Sequence, residues 1–161
     1  MKKVIRHFPP SLGFTIIELL VVFTFIGILT SLGIASYSSY TSSQSVQTAA
    51  TNFVNLLHTA QSRSLSQVIP SSCASGTMIG YEVDIATGGQ QYSLTALCGA
   101  SRIPISTAAL PYGVTFGTGP GSSVIFNISS GTVVTPVTFT INSYNKIRTI
   151  KVSQIGNVML Q

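Results

Sequence analysis

From residue 14 to residue 34 the chain is apolar at nearly every position, FTIIELLVVFTFIGILTSLGI, and holds a single charge, Glu18. A helix over this stretch would be apolar all round, and it is long enough for a bilayer crossing, which takes about 20 such residues. From residue 37 the pattern changes. Val46, Ala49, Ala50, Phe53, Leu56, Leu57, Ala60 and Val68 recur at steps of three and four, the stripe of an amphipathic helix, and Pro70 followed by Ser71 and Ser72 ends it. Residues 14–69 together predict one helix about 84 Å long at a rise of about 1.5 Å per residue. Gly27 and Gly33 are the points where it would bend at least cost.

Beyond Pro70 short runs of alternating apolar and polar residues predict strands at 78–85, 91–97, 113–116, 123–128, 133–141, 146–153 and 157–160. Thr87-Gly88-Gly89, Ser129-Ser130-Gly131 and Gln154-Ile155-Gly156 supply turns between them. Pro136, inside one of these runs, predicts an edge position. The expected class is α+β: a long amino-terminal helix, anchor at 14–36 and amphipathic stem at 37–70, packed against an antiparallel sheet head at 71–161.

With 161 residues, the chain has room for one modest globular unit beyond the anchor. Charged residues make up 7% of it, against about 25% in ordinary globular domains, so the head should be covered by Ser, Thr, Gly and Asn rather than by charge. The net charge of +5 is concentrated at the start, in Lys2, Lys3 and Arg6. Without residues 1–13 there are five Lys and Arg and three Asp and Glu, a net of +2, too little to argue nucleic-acid binding from bulk charge. Basic residues before the apolar run, with no comparable cluster after it, predict a cytoplasmic start and an exported remainder. Three fates fit: a secretory signal cut near the small-x-small triplet Gly33-Ile34-Ala35, a plain membrane anchor, or cleavage before an apolar run that is retained. The apolar run exceeds the core of about 7 to 15 residues in secretory signals, and a plain anchor gives Glu18 no purpose. An ionisable residue within a membrane-length segment is costly and is by default functional.

The third fate has a counterpart among known proteins. A short basic leader, then Gly13, then FTIIELLVV resembles the prepilin signature of type IV pilins and type II secretion pseudopilins. The resemblance implies a type IV pilin-like fold and a leader, residues 1–13, removed by a prepilin peptidase between Gly13 and Phe14, with N-methylation of Phe14. It also implies that Glu18, at the fifth mature position, serves filament assembly by meeting the terminal amine of a neighbouring subunit. The implied partners are other pilin or pseudopilin subunits, the peptidase, an inner-membrane assembly platform, and membrane lipid before assembly. The implied location is a single-pass inner-membrane protein with its head outside, then a filament at the cell surface or in the periplasm. Where members of that family often carry a helix-breaking proline, this chain has Ala35.

Cys73 and Cys98 both follow the apolar run. On the oxidising side of a membrane a disulfide between them is the first expectation, two free thiols the alternative. Such a loop contributes roughly 3 to 4 kcal/mol in the chain-entropy picture. The tail, SVIFNISSGT, VTFTINS and KIRTIKVSQIGNVML, faintly resembles the closing strands of H-type minor pseudopilins and their minor-pilin relatives. Some of those relatives bind DNA through basic residues after the last glycine, where this chain has Gly156-Asn157-Val158-Met159. Lys146, Arg148 and Lys151 remain as a small basic group, expected to be a solvated strand surface. Chemistry is sparse. His58 has no second histidine nearby in sequence, so no metal-ligand set is expected, nor any cofactor. Glu82 and Asp84 would share one face of a strand as solvated carboxylates, and the glycine-rich 117–121 lacks the lysine of a phosphate loop. The expectation is a structural filament subunit rather than an enzyme, with an adhesive or DNA-capturing tip subunit as the rival and a signal-anchored enzyme as a third reading.

Overall fold

A computed structural model describes residues 13–73, 77–117, 122–144 and 146–161, with the backbone alone for 32–35. Residues 1–12 of the expected leader, with Lys2, Lys3 and Arg6, and residues 118–121 of the glycine-rich stretch lie outside the described residues. The chain divides into two compact units, the first ending at Ser39 and the second spanning Tyr40–Gln161. One helix, α1 at Ile16–Leu65, runs through the boundary.

α1 stops five residues before Pro70, through its own cap. Gln67 takes a left-handed φ of 51°, its N–H reaches Ser64 O at 3.3 Å, and the Val68 N–H reaches Arg63 O at 3.1 Å. This is a Schellman closure with glutamine where glycine usually stands. The Gln67 side chain offsets part of that strain by donating to Ser129 Oγ at 3.0 Å. Val68 therefore lies outside the helix and is exposed, while its carbonyl accepts from the Tyr81 hydroxyl at 2.8 Å.

The head is two four-stranded antiparallel sheets rather than one. The first has the order β3-β2-β1-β5, from β1 (Met78–Ile85), β2 (Gln91–Cys98), β3 (Ser101–Ala109) and β5 (Ser123–Asn127). The second has the order β4-β6-β7-β8, from β4 (Thr115–Phe116), β6 (Val137–Ser143), β7 (Lys146–Val152) and β8 (Val158–Leu160). Backbone bonds stitch the two together: Phe116 N–H to Gly89 O at 2.9 Å, and Val133, which bridges to Phe126 while its N–H reaches Gln154 O at 2.9 Å.

The stem stripe fills the space between them. Val46, Ala49, Ala50, Phe53, Leu57 and Ala60 are buried, and Leu56 packs against them partly exposed. Phe53, at 0% exposure, is the centre of an aromatic group. It meets Tyr92 of the first sheet at 5.2 Å, and Phe116 and Phe139 of the second at 4.9 and 5.1 Å, all edge-on. That geometry suits the ring quadrupole, and removing such a ring costs about 3 to 5 kcal/mol. Burial pushes the Tyr92 phenol above its usual 10.0. Ser64 continues the buried stripe as a polar member, its hydroxyl donating to Phe126 O at 3.0 Å.

Strand β3 has no counterpart in the alternation pattern. It lies at a sheet edge and pairs its Pro104 with Thr95 beside a register shift, where a missing N–H does least harm. Pro136, expected within an edge strand, instead precedes β6, an inner strand that starts at Val137. A proline cannot donate to an inner ladder, so the strand begins one residue after it.

Candidate membrane and assembly segment

The amino-terminal part of α1 is long and apolar enough to cross a membrane, and among the described residues none of its most apolar stretch is buried. Phe14, Ile16, Ile17, Leu19, Leu20, Phe23, Phe25, Ile26, Ile28 and Leu29 all stand exposed. Its hydroxyl groups are satisfied locally. Thr24 donates to Val21 O at 2.7 Å, Thr30 to Ile26 O at 2.7 Å and Ser31 to Ile28 O at 2.9 Å. Back-bonding of this kind leaves no polar hydrogen to desolvate, which an apolar solvent demands.

Glu18 occupies the first turn of α1. Its backbone N–H donates to Thr15 Oγ1 at 3.3 Å, and the Leu19 N–H reaches Thr15 O at 3.2 Å, so Thr15 is the N-cap and Glu18 the third helical residue. Thr15-Ile16-Ile17-Glu18 is the spacing of a capping box, a signal present in the chain and not used in reading it. A carboxylate here is also favoured by the positive end of the helix dipole. Among the described residues Glu18 has no ion-pair partner. Phe14 is exposed and precedes the cap, and a side chain placed at Gly13 would meet open space. Folding of this chain therefore gives no steric reason for glycine at that position.

The remaining sequence candidates fall into the head. Cys73 and Cys98 form a disulfide with Cα atoms 5.7 Å apart, joining a 3-10 turn at Ser71–Cys73 to the end of β2. Glu82 and Asp84 do share a face of β1 but are engaged separately: Glu82, 5% exposed, pairs with Arg102 of β3, and Asp84 accepts from Ser93 Oγ at 2.6 Å. The basic group is divided. Lys146 and Arg148 project from one face of β7 and Lys151 from the other, opposite Thr138 and Met159. His58 is exposed on α1, and among the described residues no three His, Cys, Asp or Glu come together as a metal site.

Comparison with protein-family models, curated proteins and solved structures gives no match. Function must be argued from the residues themselves.

Proposed function

We propose that this chain is a structural subunit of a type IV pilus or type II secretion pseudopilus, a minor component, made as a prepilin and assembled through the first part of α1. The observation that carries the reading is the placement of Glu18: a lone carboxylate, unpaired among the described residues, in the first turn of a helix whose next turns are apolar and wholly exposed. Such a surface requires either lipid or other helices around it, and the same residues serve both in turn. In the membrane the apolar side chains face acyl chains. In a filament they face neighbouring copies, where Glu18 gains a cation in the Phe14 amine of another subunit and axial register with it. Gly13 then serves the processing peptidase, since only a residue without a side chain leaves the backbone on both faces open. Among the described residues Lys146 and Arg148 lie on one face of β7 and Lys151 on the other, so these three form no single stripe along which a DNA backbone would run, which favours the structural reading over the DNA-capturing one.

Mass spectrometry of the mature chain tests this. The expected species begins at Phe14 and carries one added methyl group. A mature terminus at Ser36 would mean an ordinary secretory signal, and an uncut chain a plain anchor. Either result ends the filament reading.

A further inference from the structure

The outer strands of the two sheets are β3 and β5 in the first and β4 and β8 in the second. An outer strand carries a row of unpaired N–H and C=O groups that will pair with another chain unless something blunts it. Three of the four are blunted. β4 and β8 are two and three residues long. β3 carries Pro104 with a register shift beside it. The Ala86 N–H bond to Gln91 O and the Leu110 N–H bond to Gln90 O fix the phase of β2, whose residues turn alternately to β1 and to β3. Thr95 therefore turns its amide to β1, and Pro104, opposite it, turns its nitrogen to the open side. The N–H that Pro104 lacks is one an incoming strand would need.

β5 has no such guard. The Ile85 N–H bond to Ser122 O and the Ile128 N–H bond to Ile79 O set its phase: Val124 and Phe126 turn their backbone groups to β1, while Ser123, Ile125 and Asn127 turn theirs away. The loop that follows takes up Asn127, whose N–H bonds Thr132 O and whose carbonyl accepts from the Gly131 N–H, both at 2.9 Å. Phe126 still bridges to Val133, and there the returning arm departs, because Val137 already belongs to β6 of the other sheet. The N–H groups of Ser123 and Ile125 meet no acceptor among the described residues. Between β5 and the departing arm lies a groove of about 220 Å³ whose walls include Ser123, Val124, Ile125, Val133, Val134 and Val137. Small-molecule pockets run to roughly 300 to 1,000 Å³, but an extended chain pairing along an edge needs width rather than volume. No ionisable side chain lines the groove, so it matches an uncharged occupant; a charged one would lose water there without gaining a counter-ion. A filament supplies neighbouring chains at high effective concentration. We propose that β5 accepts one added strand, an extended uncharged segment of an adjacent filament subunit, with the Ser123 and Ile125 N–H groups as donors to it. The proposal rests on the filament reading and adds to it a contact made by the head.

Hydrogen exchange of the full chain, resolved to single amides, is compared between dilute detergent micelles and filaments. The Ser123 and Ile125 amides should exchange freely in micelles and about tenfold or more slowly in filaments, while the Asn127 amide, bonded in both, changes little. Val134 is 71% exposed, so Val134→Lys puts an unpaired cation at the lip of the groove without disturbing the core. It should lower the filament-bound fraction about tenfold and leave the denaturation midpoint of the head unchanged. Tyr112→Lys, at a fully exposed site outside the groove, is the control and should assemble. Filaments that hold the chain with both amides exchanging as in micelles overturn strand addition alone, and so does Val134→Lys assembling at the wild-type level. Slow exchange already in dilute micelles overturns it too, because the chain itself would then be filling the groove. Absence of the wild-type chain from filaments overturns the filament reading, and strand addition with it.

Discussion

Glycines at two turns of the head are there for reasons the backbone makes explicit. Gly156 has a φ of 85°, and a Cβ on it would run into the Gly131 carbonyl and the Gln61 amide. Gly131, at 61°, sits under Leu65 in the same way. These two residues bring the last turns of α1 against the loops of both sheets. Gly156→Ala combines the left-handed penalty of roughly 1 to 2 kcal/mol with a backbone clash, for a total loss of about 2 to 4 kcal/mol. Gly88→Ala is the matched control, because a Cβ there meets open space; it should fall within about 0.5 kcal/mol of the wild type. Urea denaturation followed by tyrosine fluorescence checks both, and the midpoint of Gly156→Ala should drop without a change in slope. The turn residues were legible in the chain as Gly131 and Gly156, yet the cost of replacing them was not, since it comes from helix side chains remote in sequence. Thr15 and Glu18 are the opposite case: the N-cap contact from the Glu18 N–H to Thr15 Oγ1 is entirely local, and its spacing stands in the chain.

At the level of elements, legibility followed how far each one depends on its own sequence. The stripe from Val46 to Ala60 is periodic because one face of a helix meets a core, and six of its positions are buried as the pattern implies. β1 and β2 alternate because their inner faces cover that helix. β3 alternates only weakly: Ile103, Ile105 and Ala108 are partly buried against the core while Arg102, Pro104 and Ser106 are exposed, as suits an edge strand whose pairing is decided by β2. The division into two sheets was equally hidden, since nothing in a strand's composition says which sheet it joins. The disulfide belongs to this scale too. It fastens the segment after α1 to the end of β2, next to the Met78–Cys98 pairing and the Gly99 N–H bond to Thr77 O at 3.0 Å. Replacing both cysteines by alanine should cost about 2 to 4 kcal/mol. Hydrogen exchange should show the loss of protection at Cys73 and at the adjoining end of β2 first, with the middle of β1 and β2 retained, because those ladders have their own bonds. Uniform loss across both sheets would contradict that order.

Across the whole molecule, the two units differ in what covers them: a head packed around Phe53 and its ring partners, and an apolar segment whose surface is exposed among the described residues. Glu18 belongs to the unit that ends at Ser39, and substitutions there should not touch the head. Two roles compete for it, helix capping and pairing with another copy's amine, and glutamine separates them. A capping box accepts glutamine as readily as glutamate. An ion pair does not, and losing one partner of a buried pair costs about 3 to 5 kcal/mol because the other charge is left behind. On the proposed function, Glu18→Ala and Glu18→Gln should therefore both leave processing after Gly13, membrane insertion and the denaturation midpoint of the head unchanged, since insertion only becomes easier without a charge. Both should be depleted from filaments sheared from the cell surface or extracted as pseudopili. Thr15→Ala, which weakens the cap by about 1 kcal/mol and keeps the charge, should still assemble. If glutamine assembled at the wild-type level while Thr15→Ala failed, the carboxylate would be a cap and no more, and the exposed helix would need another source of register between subunits.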